Sequence, residues 1–248
     1  MSRLTAGLDQ QITIFSPSGD LHQIDYARKA AALENTTVAL KTKNAAVLAT
    51  QKRITDKTIV PRSVKHLFRI TPKIGCCMTG RIGDSHFQVR RSRNEASKFR
   101  YTCGYDVTAK ALCERMADIN QVYSQHPEIR PLGCSMILIE YDEKLGPTLH
   151  MTDPGADCNS YKGCGLGPQA DQAEAFLAAH LKGGTRNMSE EKAIQLALEC
   201  LGTVLDIRFE PLHLEVGIVS KAHPEFRMLD EMEIAEQLSN MLRSSQGS

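Results

Sequence analysis

From Ile12 to Ala27 the chain reads Ile-Thr-Ile-Phe-Ser-Pro-Ser-Gly-Asp-Leu-His-Gln-Ile-Asp-Tyr-Ala, three conformational instructions in succession. The Ile-Thr-Ile alternation is strand-like, and Ser16-Pro-Ser-Gly19 is a turn, because proline fixes φ and glycine admits positive φ. Leu21, Ile24, Ala27 and Ala31 then recur at helical spacing, with Asp20 placed to cap the first turn. This stripe needs an apolar surface to cover it, and the expectation is that part of that surface belongs to a neighbouring chain.

Beyond the early helix the pattern switches to strands. Thr36 to Lys41 and Ala45 to Thr50 are two short apolar runs separated by Thr42-Lys-Asn44, which reads as a hairpin. Strands are expected near Leu67 to Ile70 and Ile74 to Thr79, after which Gly80-Arg-Ile-Gly-Asp84 breaks the pattern and Asp84 can cap a helix towards Tyr101. Leu112, Met116, Ile119 and Tyr123 mark a second helix, closed by Pro127 and Pro131. Cys134 to Glu140 suits a strand buried on both faces, and Leu149 to Thr152 and Asn159 to Cys164 supply two shorter ones. Two helices follow, the clearer starting at Ser189 with Glu190 and Glu191 in its first turn. Leu214 to Val219 is a further strand. Asp230 and Glu233 form a capping box ahead of Ile234, Leu238 and Met241, and Ser244 to Ser248 is a polar tail. Strands on either side of a central helix pair, with more helices at the end, give an α+β chain of sheets packed together and covered by helices.

The 248 residues show no break in composition, repeat or linker, so one domain over 1–248 is expected. Apolar residues make up 42%, enough for a large core, and no apolar run is long enough for a bilayer. The secretory pattern of charge, apolar stretch and small-residue cleavage site is not seen at the start. Asn35-Thr-Thr37 and Asn187-Met-Ser189 therefore match the glycosylation pattern only in form. None of the eight cysteines forms a Cys-x-x-Cys pair, and Cys76 and Cys77 are adjacent in an apolar strand; they read as reduced thiols used as small hydrophobes. The histidines show no metal-binding pair at helical spacing, so no metal is expected. A net charge of +1 argues against a nucleic-acid footprint over the whole domain.

The Ile12 to Ala27 run closely resembles the N-terminal signature of 20S proteasome α-subunits. Further resemblance is carried by His66-Leu-Phe-Arg-Ile, Ile74-Gly-Cys-Cys-Met-Thr-Gly80, Ala117-Asp-Ile-Asn-Gln-Val-Tyr123 and Ile129-Arg-Pro-Leu-Gly-Cys-Ser-Met-Ile-Leu-Ile139. It extends from about Gly7 to the final helix. It implies a four-layer α-β-β-α sandwich of the N-terminal-nucleophile hydrolase type. Residues 1–11 would be a gating tail, 12–33 the signature and early helix, 34–243 the sandwich and 244–248 the polar tail.

In this fold the catalytic subunits use an N-terminal threonine as nucleophile and its own amine as base. Asn35-Thr-Thr-Val-Ala-Leu-Lys41 resembles that start, yet the nucleophile position falls on Asn35, which has no nucleophilic oxygen. The supporting aspartate position falls on Gln51 and the lysine position on His66. Residues 1–34 also precede the site where a free amine would lie. These groups act as a unit, so the resemblance implies a non-catalytic subunit with no cofactor.

What remains is assembly. The resemblance implies six other α-subunits in a hetero-heptameric ring, a β-ring beneath it and regulatory particles above. Unfolded proteins would pass through during ubiquitin-dependent and ubiquitin-independent degradation, in cytoplasm and nucleus. An aromatic–Asp pair, a proline and a tyrosine that hold the gate would correspond to Leu8, Asp9, Pro17 and Tyr26; Leu8 lacks the ring, and Gln10 stands where arginine is usual. The regulator-docking pocket would involve Glu34, Lys65, His66 and Gly80. His66 replaces the family's lysine and Glu34 its glycine, so tail binding is expected to be weak at pH 7.5 and stronger near pH 6, where an ordinary histidine charges. Two alternatives belong to other classes: an N-terminal-nucleophile amidohydrolase using another residue, and an RNA-binding adaptor using the basic run Arg90, Arg91, Arg93, Lys98 and Arg100. Gly163-Cys-Gly-Leu-Gly-Pro168 is rich in glycine but lacks the Gly-Lys-Ser/Thr ending of a phosphate loop, and reads as a tight strand-to-helix connection.

Overall fold

The computed structural model describes residues 12–54, 56–182, 188–207 and 209–246. In chain order the elements are α1 (His22–Ala32), β1 (Thr37–Lys41), β2 (Ala45–Gln51), β3 (Leu67–Arg69), β4 (Ile74–Gly80), α2 (Ile82–Cys103), α3 (Ala109–Gln125) and β5 (Cys134–Asp142). There follow β6 (Gly146–Thr152), β7 (Cys158–Ser160), β8 (Gly163–Leu166), α4 (Ala170–Leu181), α5 (Glu190–Leu205), β9 (Leu214–Ser220), β10 (Arg227–Met228) and α6 (Glu231–Gln246). One sheet has the order β10-β9-β2-β1-β8 and the other β3-β4-β5-β6-β7; the pairings are antiparallel throughout.

Side-chain alternation explains the layers. In β1 and β2, Val38, Leu40, Val47 and Ala49 face α4, α5 and α6 and share a core with Ala197 and Leu201. Ala39, Leu48 and Ala46 point the other way and meet Cys77, Ile137 and Ile139 of the second sheet. The outer face of that sheet, through Cys76, Met78 and Met136, packs on Val89 of α2 and Leu112 and Met116 of α3. Both sheets are thus covered on both faces, which is why their strands read as continuous apolar runs rather than alternating ones. This is the four-layer sandwich of the N-terminal-nucleophile hydrolase type.

Phe226 closes the inter-sheet core. It is fully buried, with its ring lying over Gly75 of β4 and Gly217 of β9, where a Cβ at either position would collide with it. A whole aromatic side chain fills the space that two missing side chains leave between the sheets.

Helix boundaries follow local capping chemistry. Ser189 caps α5 by accepting the Lys192 N–H at 3.3 Å. The capping box at α6 is complete: Glu233 N–H donates to Asp230 at 2.8 Å and Asp230 N–H to Glu233 at 2.9 Å. No helix among the described residues is long and apolar enough to cross a membrane.

Several expectations are corrected. Residues 12–16 form no strand; Ile12 and Thr13 lie in a turn, and the chain already doubles back, with Ser16 N–H donating to the Asp20 carbonyl at 2.9 Å. Asp20 does not cap α1, because its carboxylate accepts from Ser18 at 2.7 Å and the capping position is Leu21. Asp84 lies inside the first turn of α2, where it accepts two bonds from Arg130, each 2.7 Å, and the Gly133 N–H. The single strand expected over Asn159 to Cys164 is divided at Tyr161 and Lys162, with β7 in one sheet and β8 in the other. Helix α6 runs to Gln246, into the stretch expected as a polar tail. The stripe of α1 is covered by its own chain: Ile24, Ala27 and Ala31 are buried as the helix packs on β4 and β5.

Candidate functional site

The entry to β1 holds a buried knot of hydroxyls. Register sets Thr37 of β1 opposite Thr50 of β2, and their Oγ1 atoms are 2.7 Å apart. Thr37 Oγ1 is also 3.1 Å from Thr79 Oγ1 and 3.6 Å from Cys77 Sγ of β4, so the knot joins the two sheets. Asn35 completes it, donating from Nδ2 to Thr50 at 2.6 Å and to Thr37 at 3.2 Å. Its amide nitrogen is therefore engaged, while Oδ1 is buried without a hydrogen-bond partner and the residue is 2% exposed. Cys77 offers no alternative nucleophile, because burial pushes its thiol up to about 12 and keeps it protonated at neutral pH.

The other two positions expected to carry catalysis lie apart from this knot. Adjacent strand residues face opposite ways: Thr50 points between the sheets, and Gln51 lines a separate cavity of about 290 Å³ with Ile207, Phe209 and His213. His66 precedes β3. Its backbone N–H donates to Glu215 Oε2 at 2.7 Å, and the same oxygen accepts from Leu67 N–H at 3.1 Å. Glu215 also holds Lys52 at 3.5 Å; burial raises its carboxyl above the usual range. Burial, then Lys52 and His86, push the His66 imidazole down to about 4. The expected charging of His66 near pH 6 is thus overturned, since a desolvated ring beside an ammonium stays neutral there.

Helix α1 lies against β4 and β5. Gly80, at the end of β4, has φ +115°, and a Cβ there would strike the Gly133 carbonyl and come within 3.0 Å of the Ala31 Cα. Ala30 packs in the same way on Gly133. The helix is fastened from its exposed side by Arg28, which donates to Asp153 at 2.6 Å and to Asp157 at 2.8 Å. Asp153 and Asp157 frame the short loop between β6 and β7, in which Ala156 holds φ 70°. The sequence reading missed both the hydroxyl knot and this clamp. The knot was signalled by the turn at Thr42, which sets Thr37 against Thr50, whereas the clamp joins residues 125 and 129 positions apart and left no local signal.

Leu8 and Asp9 lie outside the described residues, so of the four gate positions only Pro17 and Tyr26 are placed. Pro17 is exposed at the turn. Tyr26 is 45% exposed on the outer face of α1, stacked on His22 and carrying Lys29 over its ring. Among the docking positions, Glu34 is exposed just beyond α1 and Lys65 lines a cavity of about 450 Å³ with Lys52, Arg62, Asp230 and Glu231. Gly80 is sealed beneath α1, so within this chain the four do not converge on one cavity.

The basic run on α2 is largely engaged within the chain. Arg91 and Lys98 lie 3.3 and 3.7 Å from the buried Glu95, which Arg115 of α3 also reaches at 3.0 Å. Arg93 donates to the Arg69 carbonyl at 2.8 and 3.0 Å, and Arg100 lies 3.5 Å from Asp106. The glycine-rich connection after β8 serves packing, with Gly165 pressed against Ala170 and Ala173 of α4. Among the described residues there is no group of three or more acidic, histidine or cysteine side chains placed to hold a metal.

Known proteins match this chain over nearly its whole length. The general proteasome-subunit pattern matches residues 33–219, and the N-terminal signature of the proteasome's A-type subunits matches residues 9–30. The chain is 39% identical over 238 residues to the alpha type-6 proteasome subunit of Caenorhabditis elegans, covering 96% of each. It is 38% identical over 240 residues to the probable alpha type-1 proteasome subunit of Schizosaccharomyces pombe, covering 95% of this chain and 96% of that one. An archaeal proteasome alpha subunit, from Thermococcus sibiricus, is 33% identical over 238 residues, 96% of this chain and 89% of its own. With the signature encoding α1 and the broader pattern spanning both sheets, the chain belongs to the proteasome subunit family, on its α-type side.

Proposed function

We propose that this chain is a non-catalytic subunit of the outer α-ring of the 20S proteasome, where it contributes to ring assembly, to gating of substrate entry and to regulator docking. The observation that carries the reading is helix α1, encoded by the α-type signature. It precedes Asn35 in the chain and seats Ala31 against Gly80, so a packed helix stands ahead of Asn35 where a hydrolase of this type needs a free amine. Asn35, Gln51 and His66 at the three catalytic positions support the same conclusion. Six other α-subunits, a β-ring, regulatory particles and unfolded proteins in transit are the partners, in cytoplasm and nucleus.

Native mass spectrometry of the tagged chain from its own cells tests the assembly half. The expected species carries the chain with six further α-type subunits stacked on β-type subunits. Recovery only as a free monomer or a homo-oligomer would count against it. Fluorogenic peptide turnover by the isolated chain tests the other half, with a threonine-protease inhibitor as control; inhibitor-sensitive turnover would overturn the non-catalytic reading.

A further inference from the structure

Across the second sheet, Met136 lies opposite Thr152 and Thr152 opposite Cys158. Cross-strand partners share a face, and Met136 belongs to the core under α2 and α3, so Cys158 faces that helix layer too. It ends the row on β7, an edge strand, where it is only partly buried. There it packs against the cluster containing Cys113 of α3, which has no exposed surface. Helix α3 packs against β7, and Cys158 is near enough to act on the Cys113 thiol. Nothing in the α-ring role requires this pairing, and among the described residues no further ligands join the two thiols as a structural zinc ion would need.

We propose that Cys158 and Cys113 form a peroxide-responsive dithiol that closes reversibly to an intrachain disulfide. The Cys158 sulfur attacks one oxygen of hydrogen peroxide; the O–O bond breaks, leaving a sulfenic acid on Cys158, and the departing hydroxyl takes the thiol proton and leaves as water. Cys113 sulfur then attacks the Cys158 sulfur, the S–O bond breaks, and the departing hydroxyl leaves as a second water with the Cys113 proton. Overall, two thiols and one peroxide give one disulfide and two waters, with two electrons passing from sulfur to peroxide. Burial, together with the contact to Cys158, raises the Cys113 thiol above its usual range, so the inner thiol stays protonated and inert until the sulfenic acid is beside it. A dithiol reductant reverses the closure.

The consequence reaches α1. Cys158 directly follows Asp157, and Asp157 and Asp153 hold Arg28. A disulfide at Cys158 would tie the end of the β6–β7 loop to α3, fixing the loop to which α1 is fastened.

The test uses the full chain carrying Cys103→Ser, which removes the exposed thiol at the end of α2 and with it the obvious route to intermolecular crosslinks. After hydrogen peroxide treatment, denaturation and alkylation, the seven remaining thiols (eight less Cys103) should fall to five. Peptide mapping should recover Cys113 joined to Cys158, and dithiothreitol should restore seven. Retention of all seven, a different crosslinked pair, or sulfinic acid at Cys158 without crosslinking would overturn the proposal. Hydrogen exchange in α1 should slow in the oxidised chain; a disulfide that leaves it unchanged would sever the link to the helix. Mapping the parent protein decides the chemistry, and Cys158→Ser, expected to keep all six of its thiols after peroxide, confirms the assignment.

Discussion

Asn35 donates from Nδ2 to the Thr50 hydroxyl at 2.6 Å, spanning the open end of the first hairpin at the position where the family resemblance puts a nucleophile. The bond turns a site that would need an unencumbered hydroxyl into part of the inter-sheet core. A buried hydrogen-bonded group of this kind adds stability, and removing one partner leaves the other unsatisfied at a cost of about 1–3 kcal/mol.

Asn35→Thr should therefore create no peptidase. The new hydroxyl would lie beside Thr37 and Thr50, with Gln51 lining a different cavity and α1 still ahead of it in the chain. Fluorogenic peptide assays of the variant should match the unmodified chain, and inhibitor-sensitive turnover would overturn this expectation.

Arg28→Ala removes both ion pairs that fasten α1 from its solvent side. Exposed pairs of this type contribute modestly, about 0.5–1 kcal/mol here, so global unfolding should shift little. Amide exchange within His22–Ala32 should rise selectively, because the helix loses its tether while its buried stripe remains. Uniform exchange across α1 and the sheets in both proteins would show that Arg28 is not a local anchor.

His66 should make the chain sensitive to mild acid. Its folded value of about 4 lies below the ordinary 6.5, so the unfolded chain binds the extra proton between those values. The contribution is present above pH 6.5 and is lost as pH falls towards 4. By pH 5 the loss should be on the order of 1–2 kcal/mol. Glu215, with a raised value, acts with the opposite sign, its contribution being lost as pH rises. Comparison with His66→Gln removes the histidine's own part. Urea midpoints at pH 7 and 5 should differ more for the parent than for the variant; equal differences would mean that His66 is not buried as described.

Phe226→Ala should be among the most damaging single changes, at about 3–5 kcal/mol, because the ring fills a space bordered by two glycines that cannot collapse onto it. Gly75→Ala should also destabilise, this time by collision with the ring. In the double variant the small side chain occupies part of the vacated space, so the combined loss should be less than the sum of the two. Strict additivity in denaturant titrations would place the ring elsewhere.

Much of this was legible locally. The capping box at Asp230 and Glu233 and the Ser189 cap are short-range hydrogen-bonding patterns, and both formed as read. The hairpin was legible to within one residue at the strand ends, and its register follows from the turn: closed at Thr42 and Ala45, it sets Lys41 against Ala46 and hence Thr37 against Thr50. Asp20 and Asp84 were misread because a helix-capping residue and a turn- or loop-binding carboxylate look alike until their distant partners, such as Arg130, are known. The two-residue strand β10 was missed, as its pairing with β9 rather than its own sequence defines it. Of the site, the unusual residues at positions 35, 51 and 66 were visible, but His66 is kept neutral by its burial together with Lys52 and His86, which only the fold assembles around it.

The passage from β7 to β8 takes only Tyr161 and Lys162, yet each stays bonded to a different sheet, Tyr161 N–H to the Leu149 carbonyl at 3.0 Å and the Lys162 carbonyl to the Lys41 N–H at 2.9 Å. Mechanically this is a hinge with no slack. A load that shears one sheet over the other meets taut backbone along this margin before it reaches the apolar layer between them, so the sandwich should resist sliding here and part first at the opposite border, where β3 and β10 are short and end their sheets.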